Sequence, residues 1–129
     1  MTARSVVLLV GAGRSGTNFV ALVLGAHSGI INGYENRFIW NIGQPNKLCD
    51  WRAPEESTFQ VRDAITRALF SMAPAGHTLI DKSPGNALRL DFVRAVLPDV
   101  KILNIVRDGR ASPGLTNSNV GGCCIQIPI

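Results

Sequence analysis

The chain is poor in charged and aromatic residues, which make up 17% and 6% of its 129 residues. Hydrophobic residues make up 46%, so the chain can bury a core, and an intrinsically disordered protein is excluded. The length allows one ordinary domain at most. Lysine and arginine exceed the acidic residues by 13 − 9 = +4, but no three basic residues are consecutive. This excess favours a small anionic ligand over nucleic acid as the partner.

The chain also lacks the cysteine pattern of a disulfide framework or a metal site. Its three cysteines, Cys49, Cys123 and Cys124, show no Cys-x-x-Cys spacing, so we expect no disulfides, no metal and a reducing compartment. Long hydrophobic runs are absent too: residues 6–10 are too few for a signal peptide, and residues 19–31 are interrupted by glycine, histidine and serine. We therefore expect no export signal, no membrane span and a cytoplasmic location.

Strand-like and helix-like segments alternate along the chain. Apolar, β-branched runs predict strands at residues 5–10, 28–32, 77–81 and 100–106. Such alternation predicts an α/β fold with a parallel sheet flanked by helices. Ligand sites in such sheets lie at the carboxyl ends of the strands, where this sequence places polar clusters.

The helices are predicted from the spacing of apolar residues. We expect helices at residues 17–26, at residues 54–72 and from Pro84 to about Pro98, with a helical turn near residues 37–41. The first helix is expected to be buried, with apolar positions Val20, Leu22, Val23 and Leu24. The last is expected to carry Leu88, Phe92, Val93 and Val96 on one face.

Residues 11–18 read Gly-Ala-Gly-Arg-Ser-Gly-Thr-Asn and lie between the first strand and the first helix. At such a position, exposed backbone N–H groups and the helix dipole can hold a phosphate, and glycines let the backbone approach the anion. The segment is not a Walker A loop, because Thr17 occupies the position of the lysine. A tight turn without a ligand is the plain alternative.

The same segment also matches the Gly-x-Gly-x-x-Gly fingerprint of dinucleotide-binding domains, which pair it with an acid about 20 residues further on. Glu35 lies 35 − 11 = 24 residues after Gly11, so a dinucleotide-binding oxidoreductase domain is an alternative. Arg14 within the loop, and Lys82 and Arg107 at later strand ends, fit that alternative less well. Basic residues there suit a ligand with a concentrated anionic head.

The segment Arg14-Ser15-Gly16-Thr17-Asn18 resembles the 5′-phosphosulfate loop of sulfotransferases that use 3′-phosphoadenosine 5′-phosphosulfate (PAPS). Asn18 departs from the usual threonine or serine but keeps a polar group. Residues 79–84 and 101–112 resemble the family's later strand and its 3′-phosphate segment. This resemblance implies a three-layer, P-loop-like parallel sheet.

Two shorter patterns narrow the resemblance. Residues 35–37 read Glu-Asn-Arg and residues 82–84 read Lys-Ser-Pro, which match the Glu-x-Arg and Lys-x-Pro patterns of tyrosylprotein sulfotransferases and related bacterial enzymes. The resemblance covers residues 5–112, the N-terminal part of the family's fold. The family's serine eight positions after Arg107 is absent, since residue 115 is leucine.

The resemblance implies PAPS as co-substrate, no metal, and a hydroxyl-bearing acceptor such as a small molecule, a glycan or a tyrosine peptide. In-line sulfuryl transfer needs a base for the incoming hydroxyl and positive charge around the transferred group. We expect Glu35 to be the base and Arg14 and Lys82 to supply the charge. The residues expected to bind the nucleotide are Arg14, Ser15, Gly16, Thr17, Asn18 and Arg107.

Each of these residues also has an ordinary structural interpretation. Glu35 fits a solvated loop acid, Lys82 fits an exposed lysine before a helix, and residues 107–110 fit a polar turn with an internal ion pair of little energetic value. A non-catalytic nucleotide-binding module is therefore a further alternative.

The residues after 112 differ in composition from the rest. Residues 113–129 contain no charged residue and no helical period, so we expect a domain at residues 1–112 followed by an irregular tail from a truncated or frame-shifted gene, or else a local cap. Without a covering helix the last strand is expected to be partly uncovered, which favours self-association.

Overall fold

The structure is a computed structural model, which describes residues 4–44, 48–108 and 110. Its strands are β1 (Ser5–Gly11), β2 (Ile30–Asn32), β3 (Thr78–Asp81) and β4 (Lys101–Ile105). Its α-helices are α1 (Thr17–Gly25), α2 (Arg37–Trp40), α3 (Phe59–Ser71) and α4 (Leu90–Val96). Two 3₁₀ segments, Pro54–Glu56 and Pro84–Arg89, precede α3 and α4.

The four strands form one parallel sheet in the order β2-β3-β1-β4. Leu8 of β1 pairs with Asp81 of β3, and Gly11 pairs with Ile105 of β4. The carboxyl ends of these three strands therefore meet at one edge of the sheet, as in α/β proteins generally. The predicted α/β fold, with helices around a parallel sheet, is confirmed.

The two faces of β1 are covered to different depths. Val6, Leu8 and Val10 point into the larger core, which contains side chains of α2, α3 and α4. Leu9, on the opposite face, packs with Ala21 of α1 in a much smaller cluster. Each fully buried aliphatic side chain contributes about 1.5–3 kcal/mol, so the larger core supplies most of the hydrophobic stabilisation.

Helix α1 covers its face of the sheet only partly, which corrects the expectation of a buried helix. Only Thr17 and Ala21 of α1 are buried. Leu22 and Val23 are 60% and 56% exposed, and Phe19 is 71% exposed. One side of a helix can contact a sheet at a time, so apolar residues all around α1 cannot all be buried by this sheet.

The predicted helix over residues 54–72 is two elements in the structure. The 3₁₀ segment ends at Glu56, whose carboxylate accepts a hydrogen bond from the Ala53 N–H at 2.7 Å. Helix α3 then begins after Thr58, whose hydroxyl accepts from the Val61 N–H at 3.4 Å. The threonine cap satisfies an N–H of a new first turn, which is why the helix restarts there.

The predicted helix after Pro84 is also divided. It starts as a 3₁₀ segment and becomes α-helical only at Leu90. Leu88 is 45% exposed, whereas Phe92, Val93 and Val96 are buried as expected. The tighter 3₁₀ winding rotates Leu88 away from the face that the later residues share.

Within the described ranges β4 is an edge strand, and its apolar side chains are partly uncovered. Leu103 is 38% exposed and Val106, just beyond the strand, is 84% exposed. The expected tail, residues 113–129, lies outside the described residues. Among the described helices, none has the length and apolar character needed to cross a membrane.

Candidate functional site

The loop between β1 and α1 contains a hydrogen-bonded turn and left-handed backbone. The Ser15 N–H donates to the Ala12 carbonyl at 3.1 Å, while Arg14 and Gly16 adopt left-handed φ values of 64° and 102°. A Cβ at Gly16 would meet nothing within 4 Å, so the space beside this glycine is open. Left-handed backbone suits glycine and is strained for other residues.

Gly11 brings the loop close to the end of β4. A Cβ at Gly11 would lie 2.8 Å from the Ile105 carbonyl oxygen and 2.8 Å from Ser15 Oγ. Any larger residue would push the loop and β4 apart. Glycine at this position therefore places the loop beside residues 106 and 107, which follow β4.

The loop contains polar groups suited to an anion. Ser15 Oγ is buried and has no hydrogen-bond partner among the described residues. Gly16 is the N-cap of α1 and provides no side-chain cap, so the first N–H groups of the nine-residue helix have no capping side chain. An orphaned hydroxyl beside uncapped N–H groups fits a phosphate or sulfate oxygen.

The other predicted nucleotide ligands lie in the same loop or just beyond β4. Thr17 is buried, whereas Arg14 and Asn18 are exposed at the loop surface. Arg107 is exposed two residues beyond β4. The structure thus places the loop residues and Arg107 on the same edge of the sheet.

Glu35 and Lys82 are brought together by the ends of β2 and β3. The Gly33 N–H donates to the Ile80 carbonyl at 2.8 Å, and the Lys82 N–H donates to the Tyr34 carbonyl at 3.0 Å. These bonds extend the pairing beyond the strands, and the Lys82 ammonium then donates to the Glu35 carboxylate in an ion pair. The Lys82 side chain is 6% exposed and that of Glu35 is 59% exposed.

Next to this pair lies a buried carboxylate that the sequence analysis did not single out. Asp81 is 0% exposed and accepts four hydrogen bonds, from Asn36 Nδ2, Ser83 Oγ, Trp40 Nε1 and Asn86 Nδ2. Burial raises the pKa of Asp81, while the bonds from Asn36, Trp40 and Ser83 lower it. The polar residue directly before Lys82, at the end of an otherwise apolar strand, was the only sequence signal for it.

Two buried arginines lie behind the carboxylate. Arg89 donates to Asn86 Oδ1 at 2.6 Å and to Asn41 Oδ1 at 2.7 Å, so Asn86 links Arg89 to Asp81. Burial lowers the pKa of Arg89 to about 10. Arg52 donates to the Trp40 carbonyl at 2.9 Å and lies 4.3 Å from the Phe92 ring centroid, and its burial lowers its pKa as well.

Glu35 lines two openings at the surface. The larger, of about 660 Å³, is an open cleft bordered by Glu35, Arg37, Phe38, Asn41, Ile42 and Gly43. The smaller, of about 190 Å³, also contains Asp50 and Arg89. Arg37 donates to Asp50 Oδ1 at 2.6 Å, so its guanidinium is held at the boundary between the two.

The segment after β4 contains the ion pair expected of a polar turn. Arg110 Nη2 donates to Asp108 Oδ2 at 2.9 Å, and the Arg110 N–H donates to Asp108 Oδ1 at 3.0 Å. These bonds lower the pKa of Asp108. Both residues are exposed, so the pair shapes the local chain and adds little stability.

The loop and the charged residues at the strand ends define the class of protein. A glycine-rich loop joins β1, an inner strand of the parallel sheet, to α1. Glu35 and Lys82 follow the neighbouring strands β2 and β3, an arrangement typical of α/β proteins of the P-loop-like class. A family model described as the sulfotransferase family matches residues 7–117. The match spans most of the chain, so the protein belongs to the sulfotransferase family, which confirms the resemblance inferred from its motifs. A search of the curated proteins finds no match.

Proposed function

We propose that this protein transfers a sulfuryl group from PAPS to a hydroxyl acceptor, with Glu35 as the base. Membership of the sulfotransferase family supports sulfuryl transfer as the reaction class. The observation that carries the assignment of roles is the ion pair between Glu35 and Lys82 at the strand edge that also carries the loop. It joins a proton acceptor to a positive charge, the two groups that in-line transfer requires.

The donor is proposed to bind in the loop after β1. Ser15 Oγ and the N–H groups of the first turn of α1 would receive the phosphosulfate oxygens, and Gly16 leaves room for them. Arg14, Thr17 and Asn18 complete the loop. Arg107 would form a forked contact with the 3′-phosphate, because the close approach at Gly11 places the end of β4 beside the loop.

In the proposed reaction Glu35 takes the proton of the acceptor hydroxyl as the new oxygen–sulfur bond forms. The bond between sulfur and the bridging phosphate oxygen breaks, and its electron pair leaves with adenosine 3′,5′-bisphosphate. The Lys82 ammonium and the Arg14 guanidinium would stabilise the charge that develops on the bridging and equatorial oxygens. Lys82 is nearly buried, so its charge is screened less by water than that of an exposed lysine.

The acceptor is proposed to enter the open cleft that Glu35 borders. The exposed Glu35 carboxylate lines this cleft of about 660 Å³, which is large enough for a small molecule or one side chain of a peptide. A small molecule, a glycan and a tyrosine peptide are the acceptor classes that this proposal covers.

The dinucleotide alternative is supported less well. Glu35, which would have to bind a ribose hydroxyl, instead accepts a hydrogen bond from Lys82. Calorimetric titration with adenosine 3′,5′-bisphosphate and with NAD distinguishes the two: tight binding of NAD alone would overturn the sulfotransferase assignment.

Turnover of radiolabelled PAPS with a panel of phenol, sugar and peptide acceptors tests the reaction itself. We expect Glu35→Gln to reduce transfer about a hundredfold or more, and Lys82→Met, which keeps the apolar stem, to reduce it strongly. Lys101→Met is the matched control. Lys101 is exposed at the start of β4, on the edge of the sheet opposite the proposed site. Nucleotide binding without transfer in the unaltered chain would identify a non-catalytic binding module.

A further inference from the structure

The two oxygens of the buried Asp81 carboxylate have different neighbours. Oδ1 accepts from Asn36 Nδ2 at 2.9 Å and from Ser83 Oγ at 2.9 Å. Oδ2 accepts from Trp40 Nε1 at 2.5 Å and from Asn86 Nδ2 at 3.2 Å. Only the first pair of donors comes from residues adjacent in sequence to the Glu35–Lys82 ion pair.

The Oδ1 side forms a closed connection between two chain segments. Asn36 directly follows Glu35, and Ser83 directly follows Lys82. The Asn36 backbone N–H donates to Ser83 Oγ at 3.0 Å, while Ser83 and the Asn36 amide both donate to Asp81. Two of these hydrogen bonds thus join the segment that carries Glu35 to the segment that carries Lys82, and the third orients Ser83 within its own segment.

From this geometry we propose that Asp81, acting through Ser83 and Asn36, is a positioning residue that keeps the Glu35 and Lys82 side chains next to each other. Its role in catalysis rests on the proposed function, whereas its role in holding the pair does not. Asp81 is 0% exposed, so a reactant at the surface cannot reach it. It acts on the two segments that carry the reacting side chains.

The backbone near Glu35 needs such support. Tyr34 has a left-handed φ of 57°, a conformation that costs a non-glycine residue about 1–3 kcal/mol and persists only when its surroundings hold it. The strand pairing ends at the Lys82–Tyr34 bond, and the Glu35 side chain is mostly exposed. Beyond that bond, the contacts of Asn36 with Asp81 and Ser83 hold the turn against β3.

Ser83→Ala tests the proposal on the Oδ1 side, and Trp40→Phe is the matched control on the Oδ2 side. Each variant removes one donor from the same carboxylate. Ser83→Ala also removes the acceptor of the Asn36 N–H, whereas Trp40→Phe leaves the Asn36–Ser83–Asp81 connection intact. The readout is the rate at which an amine-reactive reagent modifies Lys82, measured by mass spectrometry on the full chain without nucleotide. Hydrogen exchange of the Lys82 amide, which donates to Tyr34, is measured in parallel.

We expect Ser83→Ala to raise both Lys82 rates about tenfold or more, since it removes two buried hydrogen bonds and each such loss shifts a local opening equilibrium towards the open state. Trp40→Phe should destabilise the fold at least as much, because Trp40 is fully buried, yet leave Lys82 protected. Ser83→Thr, which keeps the hydroxyl, should restore protection. Equal exposure of Lys82 in the two variants, or no exposure in Ser83→Ala, would overturn the proposal.

The catalytic part of the proposal has its own readout. If the unaltered chain transfers the sulfuryl group, Ser83→Ala should lower kcat. The KM for PAPS should stay unchanged, because the loop after β1 is not altered. A rise in that KM with unchanged kcat would contradict the positioning role. Absence of transfer in the unaltered chain would refute the proposed function, while the Lys82 protection measurements would still decide whether the Asn36–Ser83–Asp81 connection holds the pair.

Discussion

The loop after β1 and the network after β3 lie on the same edge of the sheet and have opposite physical characters. The loop has left-handed backbone at Arg14 and Gly16 and an orphaned hydroxyl at Ser15. In the network, the Asp81 carboxylate receives four hydrogen bonds and is inaccessible to solvent. In the loop, the Ser15 hydroxyl has no hydrogen-bond partner among the described residues, whereas in the network the polar groups bond to one another and stabilise the fold.

This difference predicts that the loop affects ligand binding, whereas the network affects stability and the positions of neighbouring side chains. Open donors contribute little to folding, so changes in the loop should affect ligand affinity more than stability. A buried, satisfied carboxylate contributes to both folding and the position of its neighbours, because removing it leaves buried donors without partners. The two regions should therefore respond differently to substitution.

The largest expected effect is the loss of stability in Asp81→Ala. Four buried donors lose their acceptor and the nearby Arg89 loses a compensating charge, which should cost about 3–5 kcal/mol of unfolding free energy. Urea denaturation measures it. The control is Asp63→Ala, which removes an exposed ion pair with Arg67 and should leave the midpoint almost unchanged. Similar midpoints for both variants would mean that the network does not stabilise the fold.

The second prediction concerns the loop. Gly16→Val should abolish binding of adenosine 3′,5′-bisphosphate, because the side chain fills the open space at a left-handed position. Calorimetry measures the affinity, and circular dichroism checks that the variant is folded. Gly29→Ala is the control, since a Cβ there makes only ordinary contact with His27. Retained affinity in a folded Gly16→Val protein would refute the loop assignment.

The third prediction divides binding from catalysis within the loop. Arg14→Ala should lower the turnover of PAPS by about a hundredfold and lower nucleotide affinity less, because its charge matters most where charge develops in the transition state. Kinetics and calorimetry are measured on the same sample, with Arg4→Ala as an exposed control. Equal losses in turnover and affinity would make Arg14 a binding residue only.

The smallest effect is a pH dependence of stability that arises from Asp81. Burial raises the pKa of Asp81 above its ordinary value of 3.8, so the folded state holds this proton at a higher pH than the unfolded state does. As pH falls through the raised pKa, the unaltered protein should gain stability relative to Asp81→Asn. Thermal unfolding of both proteins from pH 8 to pH 4 gives the difference, and a relative gain towards high pH would show that the shift has the opposite sign.

The sequence predicted the strands well because each one is a short apolar run that ends at polar residues. β1 at Ser5–Gly11 extends one residue beyond its predicted range, and β4 at Lys101–Ile105 is one residue shorter at each end than predicted. It predicted the helices less well. The interruption before α3 depends on the Thr58 cap, and the exposure of Leu22 depends on how far the sheet extends beneath α1, which periodicity does not encode.

By itself, the sequence determined the order of strands and helices, the glycine loop and the family, because these follow from local composition and short motifs. It also named Glu35 and Lys82, but as separate candidates. Only the tertiary structure decided that they form an ion pair and that Asp81 lies behind them, since residues 47 positions apart in sequence meet only through strand pairing. The sequence shows Asp81 only as one polar residue among many. In the structure it is buried and accepts four hydrogen bonds, because a carboxylate removed from water needs partners within the protein.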